Sequence, residues 1–141
     1  MGARHAARQL AVQALYALDL NAETLPDAAL SCARAEAAGG DVDGTYLEDL
    51  VTGVWQQRAT LDAEIDSASH RWKLSRMDRV DVSVLRLAAY ELLLRPDTPA
   101  QVVLDEGIEL AKEFGTPDSP SFVNGILDRI ARDHRKGDLG A

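Results

Sequence analysis

Cysteine occurs once in the 141 residues, at Cys32, so no disulfide can form within the chain and nothing in the composition asks for an oxidising compartment. Cys32 sits in an Ala-rich stretch and is expected to be a small core residue, not a nucleophile. Aromatic residues number seven, and β-branched residues are sparse and scattered, which argues against a sheet protein. No apolar run approaches the roughly 18 residues of a membrane span. Arg4 and Arg8 ahead of the apolar stretch 10–20 loosely imitate a signal peptide. Gln13 and Asp19 interrupt that stretch, however, and no small-x-small cleavage site follows. A cytoplasmic protein is expected, with no membrane partner.

Chemistry is equally scarce. His5, His70 and His134 lie far apart, and no His–His or Cys–His spacing suggests a metal site. No glycine-rich loop follows a strand, so nucleotide-cradling signatures are missing. The acidic set Asp105, Glu106, Glu109 and Glu113 reads as a solvated helix face. No catalytic residue, cofactor or metal is therefore expected, and the chain reads as a binding module and not an enzyme. Cations are also outnumbered, 15 to 23, for a formal charge of −8, which by itself speaks against a polyanionic partner.

What is abundant is alanine and leucine, 22 and 19 residues, both strong helix formers. The fold class is all-α. Ala7, Ala11, Ala14, Leu15 and Leu18 recur at helical spacing and predict a helix over 4–20. A second helix starts at Thr24, with Pro26 in its first turn, and stops at Gly39-Gly40. Asp43 caps a third stretch over 45–69, whose stripe loses phase near Gln56–Arg58, so that a break near Thr60 is expected. His70 to Leu74 reads as irregular. Ser75 and Asp78 resemble a capping box opening a strongly apolar helix over 76–94, the expected central element, which Pro96 and Pro99 terminate. A helix over 101–114 turns Val103, Leu104, Ile108, Ala111 and Phe114 inward and ends at Gly115. A last helix follows Asp118 or Ser119 as cap and runs to about His134, leaving 137–141 as a frayed tail.

Three features suggest contact surfaces. Residues 1–10 hold +2 from Arg4 and Arg8, beside His5, with no acid. Cations at a helix start oppose the helix dipole, which favours an external reason for them. Residues 129–136 hold +3, which equally suits helix C-terminal electrostatics. These stretches carry +5 of a chain whose total is −8, so the remainder carries −13 and the average hides a local basic arm. Phe122, in the first turn of the last helix beside Asp118 and Ser119, either staples onto the core or stacks on a base while phosphate meets the helix-start N–H groups. Asp118 either caps the helix or accepts from a base amino group.

Taken together, residues 8–16 (RQLAVQALY), Val80-Asp81 with 84–92, 106–115 (EGIELAKEFG), Asp118-Ser119 and 122–128 (FVNGILD) make a specific pattern. On these motifs the chain resembles the NusB family of bacterial transcription antitermination factors over essentially its full length. The resemblance implies two small helical subdomains packed side by side, about six or seven helices in all, divided near residue 70 (1–70 and 71–136). It implies pairing with the ribosomal small-subunit protein NusE on boxA-like single-stranded RNA of ribosomal RNA leaders. That complex would include other Nus factors and RNA polymerase and support ribosomal RNA transcription and maturation. Carried over by position, Arg4, His5, Arg8, Asp118, Ser119 and Phe122 would meet RNA, and Tyr16 and Asp81 would meet NusE. The basic arm is thinner than the family's usual one, and Gly107 stands where the family usually has Ala. Trp72 is expected to roof the junction of the two halves, in preference to stacking on RNA. Two other readings fit the acidic, Ala-rich chain: a self-associating interaction scaffold, including a homodimer, or a detached RNA-targeting module of an RNA methyltransferase.

Overall fold

A computed structural model describes residues 2–21, 23–38 and 40–138. It contains seven α-helices and, among the described residues, no strand: α1 (Ala3–Leu20), α2 (Pro26–Ala37), α3 (Gly44–Gln56), α4 (Arg58–Ala68), α5 (Arg79–Leu94), α6 (Ala100–Phe114) and α7 (Ser119–His134), with a 3-10 turn at Leu74–Arg76. The expected stop at Gly39 lies outside the described residues. The chain divides into two compact units, Met1–Gln57 and Arg58–Ala141.

In the first unit α1 packs on both α2 and α3. Ala7, Ala11, Ala14, Leu15 and Leu18 of α1 are buried with Ala29, Leu30 and Ala33 of α2 and Leu47, Leu50, Val51 and Val54 of α3. Small side chains allow the helices to approach closely, and dispersion then accumulates over many contacts. Pro26 opens α2, where its missing N–H costs nothing. Asp43 caps α3 as expected, its Oδ1 accepting the Tyr46 N–H at 3.0 Å. Cys32, expected in the core, is instead exposed. The buried positions of α2 are 29, 30 and 33, and residue 32 falls just outside that face, one 100° step from Ala33.

The helical stretch after Asp43 breaks at Gln57, three residues before Thr60. Residues 56–60 are all exposed, and Arg58 occupies the place where an apolar residue would continue the Leu50–Val54 stripe. Without an anchor to hold a continuous helix, α4 turns its Leu61 and Ile65 into the second unit, where it packs on α5 and α7. The division therefore falls thirteen residues before position 70, after Gln57.

In the second unit every residue of α5 from Asp81 to Leu92 is buried, as befits a helix apolar almost all round. It starts at Arg79, not 76. Asp78 is itself the cap, accepting the Val80 N–H at 2.8 Å, while Ser75 belongs to the 3-10 turn. α6 and α7 pack on α5 and on each other. A Cβ at Gly107 would lie 2.7 Å from Leu127 Cδ1 and 3.9 Å from Ala88 Cβ. The only overlap is with the terminal methyl of Leu127, so a side chain at 107 would require that leucine to shift, while glycine itself costs up to about 1 kcal/mol in a helix. Ile108 and Phe114, expected inward, are half-buried.

Polar pins complete this unit. Arg86, buried on α5, holds Asp62 of α4 through Nε and Nη2 at 2.8 and 2.9 Å, a two-pronged pair. Asp138, in the segment expected to fray, accepts the Ala100 N–H at 2.8 Å and pairs with Arg135, so it serves as the cap that Pro99 cannot supply at the start of α6. Residues 139–141 lie outside the described residues. No helix of the described residues is long and apolar enough to cross a membrane.

Candidate nucleic-acid interface

The first-unit residues gather around Tyr46, in the first turn of α3. The Arg4 guanidinium lies 4.2 Å from the Tyr46 ring centroid, and its Nε is 3.9 Å from Asp43 Oδ2. Arg4 stays exposed, and His5 is half-buried. Arg8 is placed differently: it is 3% exposed, its Nη2 donates to Tyr46 Oη at 3.5 Å, and its guanidinium lies 5.4 Å from the ring centroid. Arg8 therefore braces α1 against α3 and does not present its charge outward, which leaves Arg4 as the displayed cation of the arm. Tyr16, further along α1, is half-buried.

The second unit contains an open groove of about 750 Å³. One wall is the loop 69–77, and the other is the start of α7, with Asp118, Ser121, Phe122, Gly125 and Arg129. Its buried lining is Met77, Asp81, Ser119 and Ile126. Asp81, which the resemblance assigned to a protein partner, thus shares a cavity with the expected RNA residues Asp118, Ser119 and Phe122.

A compact turn builds the α7 wall. Ser119 Oγ accepts the Thr116 N–H at 2.9 Å and lies 3.3 Å from Thr116 Oγ1. A Cβ at Gly115 would stand 2.4 Å from that same Oγ, so the turn closes only around glycine. Ser119 is consequently 1% exposed, a residue that shapes the site from beneath. The Ser119 and Phe122 N–H groups are used within the turn, bonding Thr116 O and Asp118 O, and Pro120 has none. The helix start therefore offers a phosphate fewer donors than the sequence suggested. Asp118 occupies the cap position, yet its side chain accepts no cap bond, and its carboxylate stands exposed at the groove.

Asp81 lies in the first turn of α5 and is 7% exposed, with Oδ1 lacking a hydrogen-bond partner. Burial pushes its carboxyl above the usual range, and the neighbouring Asp78 carboxylate adds to this. A hydrogen bond from the Ser119 side chain pulls the other way. An acid raised in this way contributes stability in full below its unfolded value, and that contribution is lost as pH rises through the folded value. Asp81→Asn is accordingly expected to raise the melting temperature at pH 7. The gain should vanish near pH 3.5, below the ordinary aspartate value of 3.8; thermal melts of both proteins at the two pH values check this.

The loop 69–77 is the part that sequence reading passed over as an irregular connection. It carries Arg71, Lys73 and Arg76 with no acid from 69 to 77, and all three are exposed. Trp72 is not tucked away: it is 52% exposed and lines the groove. The signal was present in the sequence as three cations around an aromatic, but it lay outside the two termini where basic stretches drew notice. Conversely, the +3 stretch 129–136 is largely used internally. Arg129 Nη1 donates to Ala68 O at 2.9 Å, Arg132 Nε pairs with Asp128 at 2.8 Å, and Arg135 is enclosed by carbonyls. Among the described residues no group of three or more His, Cys, Asp or Glu side chains could hold a metal ion.

A family model described as the NusB family matches residues 5–132. The chain belongs to the NusB family. It is 48% identical over 132 residues to the transcription antitermination protein NusB of Geobacter sulfurreducens, covering 93% of this chain and 95% of that one. It is 44% identical to the NusB of Sorangium cellulosum, covering 93% of each chain. Among solved structures, T. maritima NusB superposes with a TM-score of 0.81 at 33% identity, over 100% of both chains. A chain from the crystal structure of antitermination factors NusB and NusE in complex with dsRNA shares the fold at a TM-score of 0.82 and 23% identity, covering 92% of this chain and 96% of that one.

Proposed function

We propose that this chain is a non-enzymatic, RNA-binding transcription antitermination factor. It pairs with ribosomal protein NusE on boxA-like single-stranded RNA of ribosomal RNA leaders and supports ribosomal RNA transcription and maturation, alongside other Nus factors and RNA polymerase. Membership of the NusB family and the names of its relatives support the antitermination role. The observation that carries the RNA reading is the α7 start: Phe122 is half-buried at the groove edge beside an Asp118 carboxylate that caps nothing. A ring fixed in that way offers a stacking face, and a carboxylate there that makes no cap bond supports the reading in which Asp118 accepts from a base amino group. Arg4 and His5 meet phosphate, with Arg8 and Ser119 positioning the contacting groups. Tyr16 and Asp81 serve the NusE contact. The acidic remainder of the chain suits a basic ribosomal protein and discourages indiscriminate RNA binding.

The test is a salt titration of affinity for a short boxA-like RNA, with and without NusE. A small basic patch that neutralises about two to four phosphates gives a slope of log K against log salt of about −1.4 to −2.8 for a single strand. Affinity is expected to rise when NusE is present. A slope near zero in both arms would overturn the RNA reading.

A further inference from the structure

The groove that supports the RNA reading has a second aromatic, and nothing in the family resemblance assigns it a ligand. Trp72 projects from the loop 69–77 with half its surface exposed, on the wall facing the α7 start. The other exposed large apolar side chains among the described residues, Leu20, Leu25, Leu94 and Val102, are aliphatic.

The loop is not slack. Ser69 Oγ donates to Trp72 O at 2.6 Å and accepts the Trp72 N–H at 3.4 Å. The Leu74 N–H donates to Asp66 Oδ1 at 2.6 Å, and Leu74 and Met77 are buried anchors. The backbone of residue 72 is held by these bonds, while the indole adds little to the core. A large ring left in water on a fixed backbone forgoes its burial energy, which is the mark of a contact surface.

Its neighbours indicate what the contact is. Arg71, Lys73 and Arg76 are exposed and form no ion pair among the described residues. Other cations of the chain are taken: Arg34 by Glu48, Arg86 by Asp62, Lys112 by Glu109, Arg132 by Asp128 and Arg135 by Asp138. Three unpaired cations around one aromatic, facing a groove with a second aromatic, match the needs of a single nucleic-acid strand: planar faces for bases and charges for the backbone between them. A protein partner would use the ring equally well but would not ask for three unneutralised cations.

We propose that Trp72 is a second base-stacking position of the RNA surface, with Arg71, Lys73 and Arg76 meeting the phosphates of the nucleotides it holds. This rests on the RNA reading of the Phe122 site and extends it across the groove. Only an unpaired base can stack on the ring, so the site selects single-stranded over duplex RNA.

In a Trp55→Phe background, Trp72 is the sole tryptophan and reports on its own contact. Titration with a short boxA-like single-stranded RNA is expected to quench its fluorescence saturably, and the same sequence as a duplex is not. Trp72→Ala in the otherwise unchanged chain is expected to weaken single-strand binding between about five-fold and a hundred-fold. Trp72→Phe stays within a few-fold of the parent, and Trp72→Leu behaves like Ala, with far-UV circular dichroism unchanged throughout. Equal quenching by the duplex, or an unchanged affinity of Trp72→Ala while Phe122→Ala is impaired, overturns this proposal and leaves the RNA reading intact. Unchanged RNA affinity with lost NusE binding overturns it in favour of a protein-docking role. If neither Trp72→Ala nor Phe122→Ala alters RNA affinity, both the proposal and the Phe122 site fall together.

Discussion

Replacing Arg135 with alanine is expected to destabilise the second unit by about 3 kcal/mol, the largest single-residue loss on stability anticipated for this chain. Its guanidinium is 9% exposed and makes five bonds. Nε donates to Leu92 O at 2.8 Å, Nη1 to Thr98 O at 3.0 Å and to Asp138 Oδ2, and Nη2 to Glu91 O at 3.1 Å and Arg95 O at 2.9 Å. Three of these carbonyls belong to the C-terminal end of α5 and its cap residue; Glu91 O and Arg95 O also accept the Arg95 and Thr98 N–H groups, each at 3.1 Å, and the guanidinium adds a second, charge-assisted bond to each. One side chain from the end of α7 thus completes the end of the central helix and the turn towards α6. Removing it takes five charge-assisted bonds from this junction, leaves Leu92 O without its guanidinium donor and releases Asp138, which otherwise caps α6 through the Ala100 N–H. For a unit of this size the melting temperature should fall by roughly 10 °C or more. Arg135→Lys should recover less than half of the loss, because an ammonium cannot reproduce a planar fork of five donors. A variant that melts with the parent would show that the carbonyls find other partners at no cost.

Phe122→Ala is expected to weaken binding of boxA-like RNA by about 1–3 kcal/mol, the range for one base stacked on one ring. Two features separate this from a folding effect. The ring is half-buried at the groove and is not part of the core formed by Val123, Ile126 and Leu127. The turn that starts α7 is held by Ser119 and Gly115, which the substitution leaves in place. Alanine is also a good helix former, so helicity is conserved. Fluorescence anisotropy with labelled RNA, paired with circular dichroism, measures both quantities. An unchanged affinity removes Phe122 from the site, whereas lost affinity together with lost helicity would place the ring in the core after all.

Much of the architecture was legible before any coordinates. Helix positions followed from apolar residues at spacings of three and four, and stops followed from Pro96, Pro99 and Gly115. The Asp43 cap was legible because it involves a bond to a residue three positions away. Errors clustered where a local pattern was ambiguous. Ser75 and Asp78 both looked like caps, and only the path of the chain through the 3-10 turn selected Asp78. The break at Gln57 rather than Thr60 depended on which unit Leu61 would enter. Cys32 differs from its buried neighbour Ala33 by one 100° step around the helix, and composition cannot say which side faces α1.

Composition and periodicity alone determined the helical class, the approximate positions of most helices and the presence of a short motif at 118–122, because these rest on interactions within a few residues of sequence. The fate of the cations was decided only by the tertiary structure. Arg8, which looked like part of an exposed basic arm, is enclosed by Tyr46, 38 residues away. Arg135, which looked like surface charge, is enclosed by carbonyls 37 to 44 residues away. Arg71, Lys73 and Arg76, in what looked like mere connection, all face water. A guanidinium becomes structural when distant chain brings it unsatisfied carbonyls, a carboxylate or a ring, and becomes available for phosphate when it does not. That outcome depends on which segments meet, so a net charge of −8 spread over a sequence could indicate neither where an RNA strand would lie nor which arginines would touch it.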